Sequence, residues 1–126
     1  MIPNTIKQEQ EISELLSRGY VQESGSNSNG NYIKFSDGTM IQSGTVNCNA
    51  SSYGLITFPS VFSSPNIIMT ANNIYNQSGE LGLILTTQSD TTTVGVIYFR
   101  KYVNGNLVTV TNTKVAANWI AIGKWK

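Results

Sequence analysis

Ile6, Ile12, Leu15 and Leu16 fall roughly on one side of a helix over residues 5–18, with Lys7, Gln8, Glu11, Glu14 and Arg18 elsewhere around it. Gly19 is a suitable stop, because glycine readily takes the left-handed conformation that ends helices. At 3.6 residues per turn the helix has about four turns, which is marginal in water without a partner. Two partners are possible: the chain's own head, or copies of the same helix in a coiled stem. In the second case Ile12, Leu15 and Leu16 face the other copies. Ile12 and Leu15 fit an a/d pair, whereas Thr5 and Gln8 occupy the preceding a and d positions. The stem segment is set at residues 1–22.

Residues 23–31, Glu-Ser-Gly-Ser-Asn-Ser-Asn-Gly-Asn, carry no apolar side chain and predict a flexible linker. Beyond Asn31 the pattern becomes strand-like. Residues 32–35 and 40–46 flank a β-hairpin turn at Asp37-Gly38, of the type I′ form that needs φ > 0 twice. Asn104-Gly105 turns a second hairpin between residues 94–103 and 106–113. Further strands are expected at 54–58, 66–71, 81–88 and 118–124. In the 94–103 strand, Val94, Val96, Tyr98 and Arg100 share one face, and Gly95, Ile97, Phe99 and Lys101 the other. Pro59 and Pro65 fall between strands, where a missing donor does no harm. The pattern predicts an all-β head over residues 32–126, an antiparallel β-sandwich of six to eight strands preceded by a short N-terminal helix.

Composition sharpens this picture. Hydrophobic residues supply 40% of the 126-residue chain and charged residues 12%, about half the usual charged share. Asn, Ser and Thr number 14, 14 and 13, so the surface is rich in neutral hydrogen-bonding groups. Such a surface suits sugars, or contact with copies of itself. The net charge of +1 gives no dense basic patch and argues against nucleic acid. No apolar run is long enough to span a membrane. The start, Met1-Ile2-Pro3-Asn4, lacks a signal peptide's basic region and apolar core. The expectation is synthesis in a cytoplasm and export by other means, such as virion release, with Met1 equally readable as a start inside a longer protein.

Catalytic chemistry finds little support. The sequence has no His and a single cysteine, Cys48, so one chain can build neither a Ser-His-Asp arrangement nor the usual zinc site, and no cofactor is expected. Of the head's three acids, Asp37 is committed to its turn. Glu80 and Asp90 are the only pair left for a glycosidase mechanism. Aromatic residues are the better lead, since sugars stack their C–H faces on rings. Tyr98, Arg100 and Tyr102 share a face that Arg100 makes hard to bury in a monomer, which leaves a ligand surface or a subunit interface with Arg100 paired across it. Asn73 and Tyr75, in a loop after a strand, are further ligand candidates. Trp119 is expected in core or interface packing. Trp125 would either seal an assembly or stand at its tip as a sugar platform.

Four segments carry a resemblance. NYIKFSDGTMIQSG (residues 31–44) resembles the opening hairpin of bacteriophage tail-fibre C-terminal domains. ITFPSVFSSPNIIMT (56–70), TTTVGVIYF (91–99) and NWIAIGKW (118–125) resemble their later strands. The order of these motifs is also similar to the H-type lectins of invertebrates. The resemblance implies a β-sandwich assembled as a homotrimer at the distal end of a fibre, part of the virion, that recognises a bacterial surface polysaccharide and is not an enzyme. Carried over residue by residue, it implies architectural roles for Asp37-Gly38, Phe58-Pro59, Pro65, Trp119 and Gly123. H-type lectins use polar side chains, often His, in a pocket between subunits, and this chain has no His to place there. A structural trimerisation cap without a ligand of its own is the alternative reading.

Overall fold

The computed structural model describes residues 4–74, 83–89 and 91–126, and side chains from residue 7 onward except those of 15–18. Helix α1 (Asn4–Arg18) is followed by β1 (Val21–Asn27), β2 (Gly30–Phe35), β3 (Thr39–Asn47), β4 (Tyr53–Thr57), β5 (Ile68–Asn73), β6 (Leu83–Ser89), β7 (Val94–Val103), β8 (Asn106–Thr109) and β9 (Ala116–Lys124). A five-stranded sheet runs β1-β2-β3-β9-β5 and a second runs β4-β7-β6, with β8 paired to β7. All pairings are antiparallel. The two sheets enclose one core, so the all-β sandwich expected from the alternation is the fold found.

Alternation decides which side chains enter that core. Met40 and Gln42 of β3, Ile97 and Phe99 of β7, and Ala117, Trp119 and Ala121 of β9 are buried, while their neighbours along β3 and β9 are half-buried or exposed; on β7, Val96 is buried as well. Phe58 sets its ring edgewise against Phe62 at 5.0 Å and against Trp119 at 5.9 Å, the geometry that the ring quadrupoles favour. Trp119 lies opposite Gly44 in the β3–β9 register. A Cβ on Gly44 would come within 2.9 Å of the indole, so the large ring on β9 requires the missing side chain on β3. Gln42 is fully buried, and its amide closes a two-way clamp on the loop after β4. Its Nε2 donates to the Ser60 carbonyl at 2.7 Å, and the Ser60 N–H donates to its Oε1 at 2.8 Å.

Two expectations about the N-terminal part of the head are corrected. The stretch 23–31, expected to be a flexible linker, is mostly the edge strand β1 and the start of β2. Its backbone, not its side chains, makes it a strand, by pairing with β2 from Val21–Phe35 to Asn27–Gly30. The Tyr32 ring lies over Gly25, and Glu23 meets Lys34 at 2.9 Å. Composition gives no sign of this, because the apolar contributions come from the partner strand. Among the described residues there are nine strands, where six to eight were expected. The hairpin at Asp37-Gly38 forms, but not with a type I′ turn. Among its residues only Gly38, at φ 97°, lies in the left-handed region, and its N–H closes a four-residue turn on the Phe35 carbonyl. Asp37 Oδ1 instead accepts the Thr39 N–H at 2.8 Å. At Asn104-Gly105 both φ values are positive, 51° and 80°, and that turn is of the expected type.

Candidate functional site

β7 is the middle strand of the smaller sheet, with β4 and β6 on either side. Gly95, Ile97 and Phe99 face the core, and Val96, Tyr98, Arg100 and Tyr102 form the opposite row, in which Val96 is itself buried, Tyr98 and Arg100 are half-buried and Tyr102 is exposed. The register adds neighbours that the sequence reading missed. Tyr53 of β4 and Thr86 of β6 flank Tyr98, Ile84 and Thr109 flank Arg100, and Leu107 lies opposite Tyr102. The rings of Tyr53 and Tyr98 lie 6.4 Å apart, tilted by 59°. Tyr102 is 62% exposed. Along a strand, four residues span about 13 Å, so Tyr98 and Tyr102 are spaced to receive an extended ligand. Only knowledge of which strand lies beside β7 could have added Tyr53 to the sequence reading.

Arg100 has partners within its own chain. Its Nη1 donates to the Ser52 hydroxyl at 2.9 Å, to the Phe99 carbonyl at 3.0 Å and to the Ser52 carbonyl at 3.3 Å. Its guanidinium carbon lies 5.4 Å from the Tyr98 ring centre. Ser52, at φ 69°, is one of two non-glycine residues in the left-handed region among those described. Arg100 thus braces this corner and fixes the Tyr98 ring beside it. The expected pairing across a subunit interface is not needed to explain how its charge is held.

A second aromatic and cationic cluster lies where β2 meets the C-terminus. Lys34 Nζ stands 5.3 Å from the Tyr32 ring centre and 5.4 Å from that of Trp125, whose other neighbour is Lys126 Nζ at 5.0 Å. The Trp125 indole N–H donates to the Phe35 carbonyl at 2.8 Å, and its backbone N–H to Gly38. Trp125 is therefore half-buried and pinned to the β2–β3 hairpin. Alternation along β2 alone does not show the Tyr32 and Lys34 part of this cluster, because Trp125 reaches it only through its ties to the β2–β3 hairpin.

The remaining candidates lie apart. Asn73 ends β5 in the other sheet, paired with Ala117 within a strand rather than placed in a loop. Tyr75, Glu80 and Asp90 lie outside the described residues, so neither the loop candidate nor the glycosidase pair has a described position. Trp119 is buried in the core. Ile12 stands in solvent, and the side chains of Leu15 and Leu16 lie outside the described set. Cys48 is buried, its Sγ directed at the Val110 carbonyl at 3.1 Å, and burial pushes its thiol above the usual range, with Arg100 opposing. A neutral, enclosed thiol is a poor nucleophile. A cleft of about 90 Å³ between Ser28, Asn29, Thr45, Leu55 and Thr57, floored by Trp119, is too small to enclose a sugar ring.

Fold and surface together define an antiparallel β-sandwich head with a neutral, aromatic-bearing exterior. The chain belongs to the family of tail fiber proteins, gp53-like, C-terminal, whose model matches residues 34–124. Solved structures agree on the fold. A C-terminal portion of the P. aeruginosa R2 pyocin fiber superposes with a TM-score of 0.61 at 22% identity, over 81% of this chain and 25% of that one. An N-truncated R2-type pyocin tail fiber gives 0.62 at 20% identity, over 97% of this chain and 44% of that one. The chain thus spans a quarter and under a half of the two pyocin chains. No curated protein matches it.

Proposed function

We propose that this domain is the receptor-binding tip of a homotrimeric tail fibre, carried on the virion, and that it holds a host surface glycan on the outer face of the β4-β7-β6 sheet. The observation that carries this reading is the Tyr53, Tyr98 and Tyr102 row, with Tyr98 fixed by Arg100 and Tyr102 open to solvent. Fixed rings offer stacking area at little entropic cost. Thr86 and Thr109 beside them supply neutral hydroxyls for sugar hydroxyls. The role needs binding and no catalysis, so the domain works as an adhesin without a cofactor. Asn73 and Trp125 belong to other faces and play no part in this row.

The competing reading, a trimerising cap without a ligand, makes the opposite prediction for one experiment. On an array of bacterial polysaccharides the intact protein should bind one class of glycan, and Tyr102→Ala should reduce that signal at least about tenfold without changing the melting temperature. Tenfold corresponds to about 1.4 kcal/mol, a modest value for one stacked ring. Silence across the array from correctly assembled protein favours the cap.

A further inference from the structure

We infer that the outer face of the five-stranded sheet is where copies of this chain meet, an inference that rests on the proposed homotrimer for its stoichiometry. The register sets Ile33 opposite Ile41, Ile41 opposite Ile122, and Ile122 opposite Ile68. Alternation turns all four away from the core that Met40, Gln42, Trp119 and Ala121 fill. A single aliphatic row therefore crosses four strands. Ile68 is 74% exposed, and Ile33 and Ile122 38% each, while Ile41 is half-covered by its neighbours. Ile120, in the next row between Ser43 and Thr70, is exposed as well. Scattered exposed apolar residues are ordinary, but an aligned row of them marks an interaction surface.

Two observations select the occupant. The first is charge. Across these rows the flanking groups are Ser24, Ser43 and Thr70, and charge is confined to the end of the face, where Lys124, opposite Thr39, has the Asp37 carboxylate as a neighbour. A charged partner finds almost nothing to pair with, whereas a second aliphatic face does. The second is continuity with the stem. Val21, exposed and paired to Phe35, extends the same face toward α1. Tyr20 is fastened there by its N–H to Ser36 Oγ at 2.9 Å and by its carbonyl to the Ser36 N–H at 2.8 Å. From Lys7 to Ser13 the helix side chains are exposed, Ile12 by 56%. A lone four-turn helix is marginal. A second copy presents the same two surfaces in the same continuity, and so covers the helix and the isoleucine row together. An open groove of about 430 Å³ beside Ile68 and Ile122, edged by Ser64 and Asn66, gives room for a side chain from that copy.

The test compares the full chain with Ile68→Asp, Ile33→Asp and, on the other sheet, Leu55→Asp, by light scattering at micromolar concentration. Ile68 and Leu55 are exposed by 74% and 57%, so a charge at either site burdens the monomer fold little. The expected result is three copies for the parent and for Leu55→Asp, and a threefold fall in mass for both isoleucine variants with cooperative melting retained. Isoleucine variants as trimeric as the parent overturn the inference, and so does dissociation by Leu55→Asp alone. Isoleucine variants that stay trimeric but lose binding to cells also overturn it, because the face would then belong to the receptor. A parent that is monomeric at every concentration overturns it too, and leaves the adhesin reading to be judged separately by cell binding. If an isoleucine variant does not fold, hydrogen exchange on the parent decides: β5 and β9 amides should gain protection as concentration rises, and concentration-independent exchange contradicts the inference.

Discussion

Single side chains hold much of this head, and Gln42 is the clearest case. Both ends of its amide are satisfied by Ser60, and it is fully buried. Gln42→Leu keeps much of the volume but leaves the Ser60 N–H and carbonyl without partners. Stranding a buried polar group costs about 1–3 kcal/mol, and Ser60 is half-buried, so chemical denaturation should show a loss of about 1–3 kcal/mol with an unchanged m-value. Asp37 makes a prediction of a different kind. The Thr39 backbone and hydroxyl hydrogen bonds, followed in effect by Lys124, hold its carboxyl below the usual range despite some opposing burial. A carboxylate depressed in the folded state stabilises it above the unfolded pKa, and that contribution fades as the pH falls through the folded value. The melting temperature of Asp37→Ala should therefore lie below the parent's at pH 7, and the gap should narrow below about pH 4. A gap that is constant with pH would assign the effect to turn geometry alone.

At the level of elements, the hairpins show what the chain can and cannot reveal about itself. Asn104-Gly105 states its turn in the sequence, because two residues at positive φ need side chains of that kind. Gly105 has open space where a Cβ would stand, so Gly105→Ala should cost only the strain of an L-residue in the left-handed region, about 1–2 kcal/mol. Gly44→Ala should cost clearly more, because the new methyl meets Trp119 on the paired strand. Equal losses for the two would contradict the packing described. Strand β7 was legible to the residue, since its apolar alternation is its own. Strand β1 was not, because its Ser, Gly and Asn side chains carry no signal and its stability comes from β2. The same limit governs the site. Tyr98, Arg100 and Tyr102 could be placed on one face by spacing alone, but Tyr53, the isoleucine row and the Lys34 cluster exist only through register between strands. The reach of Arg100 back to Ser52 likewise depends on how the loop before β4 folds over β7.

For the whole molecule, two outer faces divide the chemistry. One carries aligned isoleucines and almost no charge, and the other carries tyrosines with neutral hydroxyls. The C-terminal strand β9 lies between β3 and β5, and Trp125 is tied to the β2–β3 turn, so the chain end is held within the head. This arrangement suits a domain that is joined to its copies on one side and meets a surface on another. The central claim is that the tyrosine face attaches to a bacterial envelope. It is tested most directly by binding of the purified, labelled protein to a panel of whole bacterial strains, with Tyr98→Ala and Tyr102→Ala beside it. The account predicts saturable binding to a subset of strains, competed by surface polysaccharide extracted from those strains and weakened at least about tenfold by either substitution. Strain-selective binding that both variants retain in full, or no binding to any strain by a properly assembled head, would contradict it.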